Sequence, residues 1–224
     1  MPGKLNDHYT KFRQSYGPWG VVAGASEGLG AAYAEARARR GLELVLVARR
    51  GELLQQLAAR LTAQYAIRVH ILPIDLAHPE ANELIAQETQ ALDIGLLVYN
   101  AAYSAVGPFI DHSLDDHVRE IDTNVRAPLG LVNTFGRRML AAGRGGIILM
   151  SSLSAFQGSA YISTYSATKA FNIVLAEGLW KEWRRNGVDV LACIAGAIRT
   201  PITWPAPQST PAASRTPPWS RRWW

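Results

Sequence analysis

Val21-Val22-Ala23-Gly24-Ala25-Ser26-Glu27-Gly28-Leu29-Gly30 is the stretch on which the fold turns. A short apolar run ends in a Gly-x-x-x-Gly-x-Gly turn, and the pattern of a helix over 28–40 begins inside that turn. Glycines permit a tight reversal and let backbone N–H groups approach an anion, to which a helix N-terminus adds partial positive charge. Ser26 offers a hydroxyl donor to the same anion. A plain glycine-rich turn is the bland alternative. The strand pattern before it and the helix pattern after it favour the phosphate cradle of a dinucleotide site.

Outward from this turn the same alternation repeats. Apolar runs at 19–23, 44–48, 69–73, 96–99, 146–151 and 188–194 read as strands. Amphipathic stretches at about 28–40, 50–65, 79–90, 115–141 and 163–185 read as helices. Short apolar strands separated by helices are the signature of buried parallel strands, so the chain is expected to be α/β, a Rossmann-like doubly wound parallel sheet in a single domain. Residues 1–18 read as an N-terminal arm with a short helix, and 19–202 as the domain itself. From 203 to 224 the character changes. Residues 201–224 hold six of the 12 prolines and four of the seven tryptophans. Proline blocks helix and interior strand alike, so 203–224 reads as an irregular tail.

Charge and composition narrow the function classes. The formal net charge is +5, but residues 200–224 contribute three arginines and no acid, leaving 20 basic and 18 acidic groups elsewhere. The basic balance therefore belongs to the tail, and no folded nucleic-acid-binding face is expected. No apolar run is long enough to span a bilayer, and the first residues lack the apolar core of a secretion signal, so a cytoplasmic location is expected. The single cysteine, Cys193, excludes an internal disulfide and Cys-rich metal centres, and its place in a strand pattern suits packing. The five histidines are scattered, and His112 and His117, five apart, do not share a helix face. No metal site is expected.

Three further places carry chemistry. The second strand ends in Arg49-Arg50 with no acid at its tip. A 2′-phosphate on the adenosine ribose requires a cation there, whereas a free ribose favours an acid, so NADP(H) is favoured over NAD(H). Two solvated arginines are the alternative. Asp75, followed by Leu76, follows the third strand and is placed to accept from an adenine amino group, or else to cap the helix at 79. Farther on, Tyr165 and Lys169 stand four apart, on one face of a helix. An ammonium beside a phenol stabilises the phenolate and makes it usable as a general acid–base. Tyr161 is a competitor one turn earlier. Alone, the pair fits any amphipathic helix.

Taken together and in this order, the glycine loop, Asn100-Ala101-Ala102, Asn124, Ser152 and Tyr165-x-x-x-Lys169 resemble the short-chain dehydrogenase/reductase family over about residues 18–201. The resemblance implies hydride transfer between NADP(H) and a carbonyl or alcohol. Tyr165 would be the acid–base, Lys169 would lower its pKa and hold the nicotinamide ribose, and Ser152 would bind the substrate oxygen, with Ser151 a weaker candidate. Asn124 would hold a water that links Lys169 to solvent. The glycine-loop residues Gly24, Ser26, Glu27, Gly28, Leu29 and Gly30 would contact the cofactor. So would Arg49, Arg50, Asp75, Leu76, Asn100, Ala101, Tyr165 and Lys169, while Ile198 and Thr200 would meet the nicotinamide amide. The cluster Tyr103, Val106, Phe156 and Tyr161 suggests an apolar substrate. Phe171, Val174, Leu175, Leu179 and Trp180 form either core or a face for pairing into a homodimer or homotetramer.

Three residues depart from the family pattern. Ala23 replaces a threonine, Ala102 the glycine of Asn-Ala-Gly, and Ala195 the proline of a Pro-Gly turn. The pattern of a further helix and a seventh edge strand is not visible after Thr203. A non-catalytic or truncated dinucleotide-binding remnant of the same family is therefore the alternative function.

Overall fold

The computed structural model describes residues 7–196. Helix α1 (Asp7–Tyr16) leads into strand β1 (Trp19–Ala23), followed by α2 (Gly28–Ala38), β2 (Glu43–Val47), α3 (Gly51–Tyr65), β3 (Val69–Leu72), α4 (Ala81–Glu88) and β4 (Ile94–Tyr99). The second half runs α5 (Leu114–Ile121), α6 (Ala127–Ala142), β5 (Gly145–Ser152), α7 (Ser163–Trp183) and β6 (Val188–Ala195). Six parallel strands lie in the order β3-β2-β1-β4-β5-β6. The order reverses between β1 and β4, so the helices that follow those strands lie on opposite faces of the sheet and leave a crevice above the strands' C-terminal ends. The doubly wound fold expected from the alternation is the one observed.

Both faces of the central strands are apolar because both are covered. Val21, Val45, Val47, Leu97 and Tyr99 pack with α4, α6 and α7 residues such as Ile85, Leu131, Phe135 and Ala176. Their sequence neighbours Val22, Leu44, Leu46, Leu96 and Val98 pack with Ala34, Leu54, Leu57 and Leu61 from α2 and α3, and α1 adds Phe12 and Tyr16. This alternation is the period-2 pleat of a strand buried on both sides.

Three expectations are corrected. The strand β6 is not buried throughout. Val188 and Val190 face the α7 side, but Asp189 and Leu191 are exposed, Leu191 at 57%. Only the Tyr16 hydroxyl on Asp189 and the Tyr33 hydroxyl on Cys193 Sγ (3.2 Å) reach that second face with a side-chain hydrogen bond among the described residues. Cys193 is accordingly half-buried, an acceptor rather than a packed core thiol. The helix expected over 115–141 is broken. α5 gives way to a π-helical turn at Asp122–Arg126, in which the Ala127 N–H reaches back to the Asp122 carbonyl. Pro128, near the start of α6, has no N–H to give the Asn124 carbonyl four residues earlier, and the ladder shifts there. The helix stripe 171–180 divides, with Leu175 and Leu179 against the core and Val174 and Trp180 exposed.

Candidate active site

The first half of the crevice is built mainly from backbone. Gly24 N and Ala25 N donate to the Val47 carbonyl at 2.7 and 3.2 Å, while Asn100 N and Ala101 N donate to the Ala23 carbonyl at 2.8 and 2.9 Å. The Asn100 side-chain amide donates to the Gly24 carbonyl at 2.9 Å, so the loops after β1 and β4 are clasped together. Gly24 has φ +82°, and a Cβ there would lie 2.5 Å from Ala101 N. A Cβ on Gly30 would lie 1.9 Å from the Gly24 carbonyl oxygen. Gly30 is thus what lets α2 begin directly beneath the turn. Its role is close packing, beyond the tight reversal and anion approach that the sequence suggested. Ala23, for its part, lacks the hydroxyl expected to tie the loop, and these backbone bonds with the Asn100 clasp do that work.

A cleft of about 230 Å³ follows, lined by the glycine loop, Arg49, Arg50, Asp75, Leu76 and the 100–103 segment. Arg50 Nη2 donates to Ser26 Oγ at 3.1 Å and is ion-paired with Glu27. Sequence order showed no acid at the tip of β2, but the fold brings Glu27 there from the glycine loop. Arg49 is exposed and joins no ion pair among the described residues. Asp75 accepts from Ala77 N at 3.0 Å and pairs with Arg119 at 3.0 Å. It closes a local turn and is not the cap of α4, which begins later, at Ala81. Leu76 is buried, and Gly28 and Leu29 open α2. Arg119, which also stacks 5.2 Å from the Tyr103 ring centroid, was not singled out in the sequence. No spacing signal links it to Asp75, 44 positions away.

At the far end of the crevice stand the residues of β5 and α7. Ser152 is the last residue of β5, and its Oγ accepts from Ser154 N and Ser154 Oγ at 3.2 and 3.0 Å. Ser151 points the other way, donating to the Lys169 carbonyl at 2.7 Å, and is fully engaged in holding α7. Tyr161 precedes α7, with φ +67° and half of its surface exposed, so it does not share the helical face of Tyr165 and Lys169. Lys169 is 2% exposed; its Nζ donates to the Met150 carbonyl at 3.1 Å and lies 5.6 Å from the Tyr165 ring centroid.

The electrostatics differ from the simple Tyr–Lys expectation. Burial drives the Lys169 pKa down to about 8. The Tyr165 phenol is raised, first by burial and then by the charge of Glu120, while the Ser152 hydroxyl acts in the opposite direction. The lowering expected from Lys169 is not realised in the ligand-free chain, because the ammonium is aimed at Met150 and is itself held back by desolvation.

Asn124 sits in the π-helical turn. Its side chain grips the Tyr103 backbone at both ends, accepting from Tyr103 N at 2.9 Å and donating to the Tyr103 carbonyl at 2.8 Å and to Thr168 Oγ1 at 3.0 Å. Its carbonyl, freed by Pro128, accepts from Asn172 Nδ2 at 3.2 Å. Beside it, Glu120 is 1% exposed and accepts from Ala105 N at 2.7 Å. Glu120, Thr168 and Asn172 were missed in the sequence. Glu120 could have been found from its place four residues before Asn124. Ile198 and Thr200 lie outside the described residues, as do the tail and any strand it was expected to lack.

These residues fit a dinucleotide. Buried Lys169 has three N–H donors and a single hydrogen-bond acceptor among the described residues, leaving donors for a ligand hydroxyl. Gly24 and Gly30 let the turn close directly on Ala101 and on the start of α2. Among the described residues no three His, Cys, Asp or Glu side chains converge to hold a metal, and no helix is long and apolar enough to cross a membrane.

Known proteins are similar to this chain in sequence and in fold. The 7beta-hydroxysteroid dehydrogenase of Clostridium sardiniense is 33% identical over 195 residues, spanning 86% of this chain and 74% of its own length. The very-long-chain 3-oxoacyl-CoA reductase of Anas platyrhynchos is 31% identical over 192 residues, which make up 84% of this chain and 62% of that protein. A short-chain dehydrogenase from Sphingobium yanoikuyae, solved in complex with NADPH, superposes with a TM-score of 0.79 at 36% identity, covering 82% of this chain and 72% of the other. The profile of the short chain dehydrogenase family matches residues 19–210. The chain belongs to the short chain dehydrogenase family, an oxidoreductase that moves a hydride between a nicotinamide dinucleotide and a carbonyl or alcohol group.

Proposed function

We propose that this chain uses NADP(H) and acts on a bulky, apolar carbonyl or alcohol, with Tyr165 as its acid–base. The observation that carries the reading is a cleft above β1 and β4 lined by Arg49 and Arg50, with Ser152 at the same end of the adjacent strand β5 and Tyr165 and Lys169 on α7, which packs on β5. A bound nicotinamide supplies or accepts the hydride. Tyr165, whose phenol burial keeps protonated, is suited to give its proton to a carbonyl oxygen in reduction. Ser152 offers its hydroxyl to the same oxygen. Lys169 presents donors to a ribose and restores positive charge beside the phenol. Asn124 holds the wall of the crevice at Tyr103 and, through Thr168, braces α7.

Preference for NADP(H) rests on the two arginines and on relatives solved with that cofactor. Because Glu27 already neutralises Arg50, Arg49 is the cation free for a 2′-phosphate. An apolar substrate is supported by Leu153, Phe156 and Tyr161, each more than half exposed beside the catalytic end. It is supported also by the steroid and acyl-CoA names of the relatives. Exposed Leu114, Val118 and Ile121 on α5 and Val174 on α7 support assembly with a second copy. The test is NADPH against NADH binding by nicotinamide fluorescence, followed by turnover of a panel of ketones. Tyr165→Phe is expected to lower turnover about 1,000-fold while NADPH affinity stays within a few-fold. Turnover undiminished in that variant removes Tyr165 from its role. Tight NADPH binding with no turnover of any ketone favours the remnant reading, whose support is the outer edge of β6, unpaired among the described residues.

A further inference from the structure

Glu120 is a carboxylate in a place that costs free energy unless it is used. It is 1% exposed, lies on α5 one turn before Asn124, and joins no salt bridge to Lys or Arg among the described residues. Burying a charge without a cationic partner is unfavourable, and a chain retains such a group only where its charge or its hydrogen bonds serve something. Two observations show what it touches. Its Oε1 accepts from Ala105 N at 2.7 Å, while Asn124, four residues on, holds both backbone groups of Tyr103. The two side chains therefore take alternate residues of the 103–105 segment, the wall that borders the cofactor cleft at Tyr103. Second, α5 packs directly on α7, the helix that carries Tyr165.

We propose that Glu120 is a positioning residue of the acid–base step, a buried charge that fastens the 103–105 wall and, across the α5–α7 contact, adds negative potential at the Tyr165 phenol. The inference rests on the oxidoreductase reading of the same site. The titratable groups facing Glu120 are Asp116 and His117 on its own helix, His112 on the turn before it, and Tyr165 on α7. Burial raises the Glu120 carboxyl; the Ala105 amide, His117 and His112 oppose that, and Asp116 adds to it. His117 is itself fixed, with Nδ1 3.0 Å from Thr164 Oγ1 on α7, Nε2 3.2 Å from the Phe109 carbonyl, and its ring stacked on Phe109. The negative charge of Glu120 disfavours the phenolate and raises the Tyr165 pKa. It thereby adds to burial in holding the phenol in its proton-donating form toward alkaline pH, the form that carbonyl reduction uses.

Glu120→Gln tests this, because the amide oxygen can still accept from Ala105 N while the charge is gone. The readout is the alkaline absorbance titration of the cofactor-free protein minus that of its Tyr165→Phe counterpart, which isolates this one phenol. In Glu120→Gln the midpoint is expected about half a pH unit or more below that of the unaltered chain. The limb of kcat/KM for alcohol oxidation that rises with pH should move the same way, with KM little changed. Glu120→Ala should show the same displacement and also a raised KM, since the Ala105 amide loses its acceptor. A midpoint that stays put or moves upward in Glu120→Gln overturns the proposal, whether or not the chain is active. A midpoint that moves while no ketone or alcohol is turned over supports the electrostatic link and counts instead against the activity.

Discussion

The two ends of the crevice are held by different means. At the cofactor end the geometry comes from backbone atoms, with glycines packed against carbonyls and the Asn100 amide closing the turn. At the other end, where we place the substrate, it comes from side chains, with Leu153, Phe156 and Tyr161 exposed on the segment between β5 and α7. Backbone contacts in a packed turn are either made or broken, whereas an apolar wall is graded, each methylene adding a fraction of the whole. Recognition of the dinucleotide should therefore fail abruptly on substitution, and recognition of the substrate gradually.

The largest effect expected is at Gly30. In Gly30→Ala a Cβ would lie 1.9 Å from a carbonyl oxygen that has no flexible end to yield. A loss of about 3 kcal/mol or more is expected, with NADPH binding abolished, as checked by urea unfolding and fluorescence. A stable variant that binds NADPH would break the contrast between the two ends.

Lys169 lies where the ends meet, and its effect has the opposite sign. Its pKa falls from 10.5 in the unfolded chain to about 8 in the fold. Between those values the unfolded chain binds more protons, so stability rises with pH across that window, and below about pH 8 the full penalty sits on the folded state. Lys169→Met should thus stabilise the ligand-free protein at pH 7 by an amount on the order of 3 kcal/mol, and its urea midpoint should lack the rise from pH 8 to 10.5. Equal slopes in the two proteins would mean that the lysine is solvated.

A smaller change is expected at the cleft mouth. Replacing both Arg49 and Arg50 by Asn should weaken NADPH about ten- to thirty-fold and leave NADH within about three-fold. Equal losses for both cofactors would show that the arginines do not read the 2′-phosphate. Smallest of all, Phe156→Ala should raise KM for a bulky ketone about three- to ten-fold and spare a small one, since Phe156 already leaves 65% of its surface exposed. A collapse of activity on both would mean that the substrate wall is as rigid as the cofactor cradle.

Much of this was legible in residue order because local patterns decide it. The glycine turn, the six strands and the Tyr165–Lys169 spacing need only neighbours along the chain. What escaped depends on neighbours in space. The pairing of Glu27 with Arg50 brings together groups 23 residues apart, and the sequence around Arg50 shows only an absent acid. Pro128 marks the break between α5 and α6, but the apolar period runs on through it, so the pattern reads as one helix. The Tyr165 phenol is raised rather than lowered: spacing on a helix says nothing of burial or of Glu120, both of which disfavour the phenolate. β6 reads as a buried strand from composition, and its exposed Leu191 appears only once the helices are placed.

The clasp between Asn100 and the Gly24 carbonyl has one further consequence. It fixes the turn without any ligand, since every bond that shapes the turn is internal to the chain. A dinucleotide arriving there has no loop to order, so its association loses little to conformational entropy. The glycine turn is the rigid anvil of this molecule, and on the proposed reading substrate selectivity has to be struck elsewhere, on the softer apolar side chains between β5 and α7.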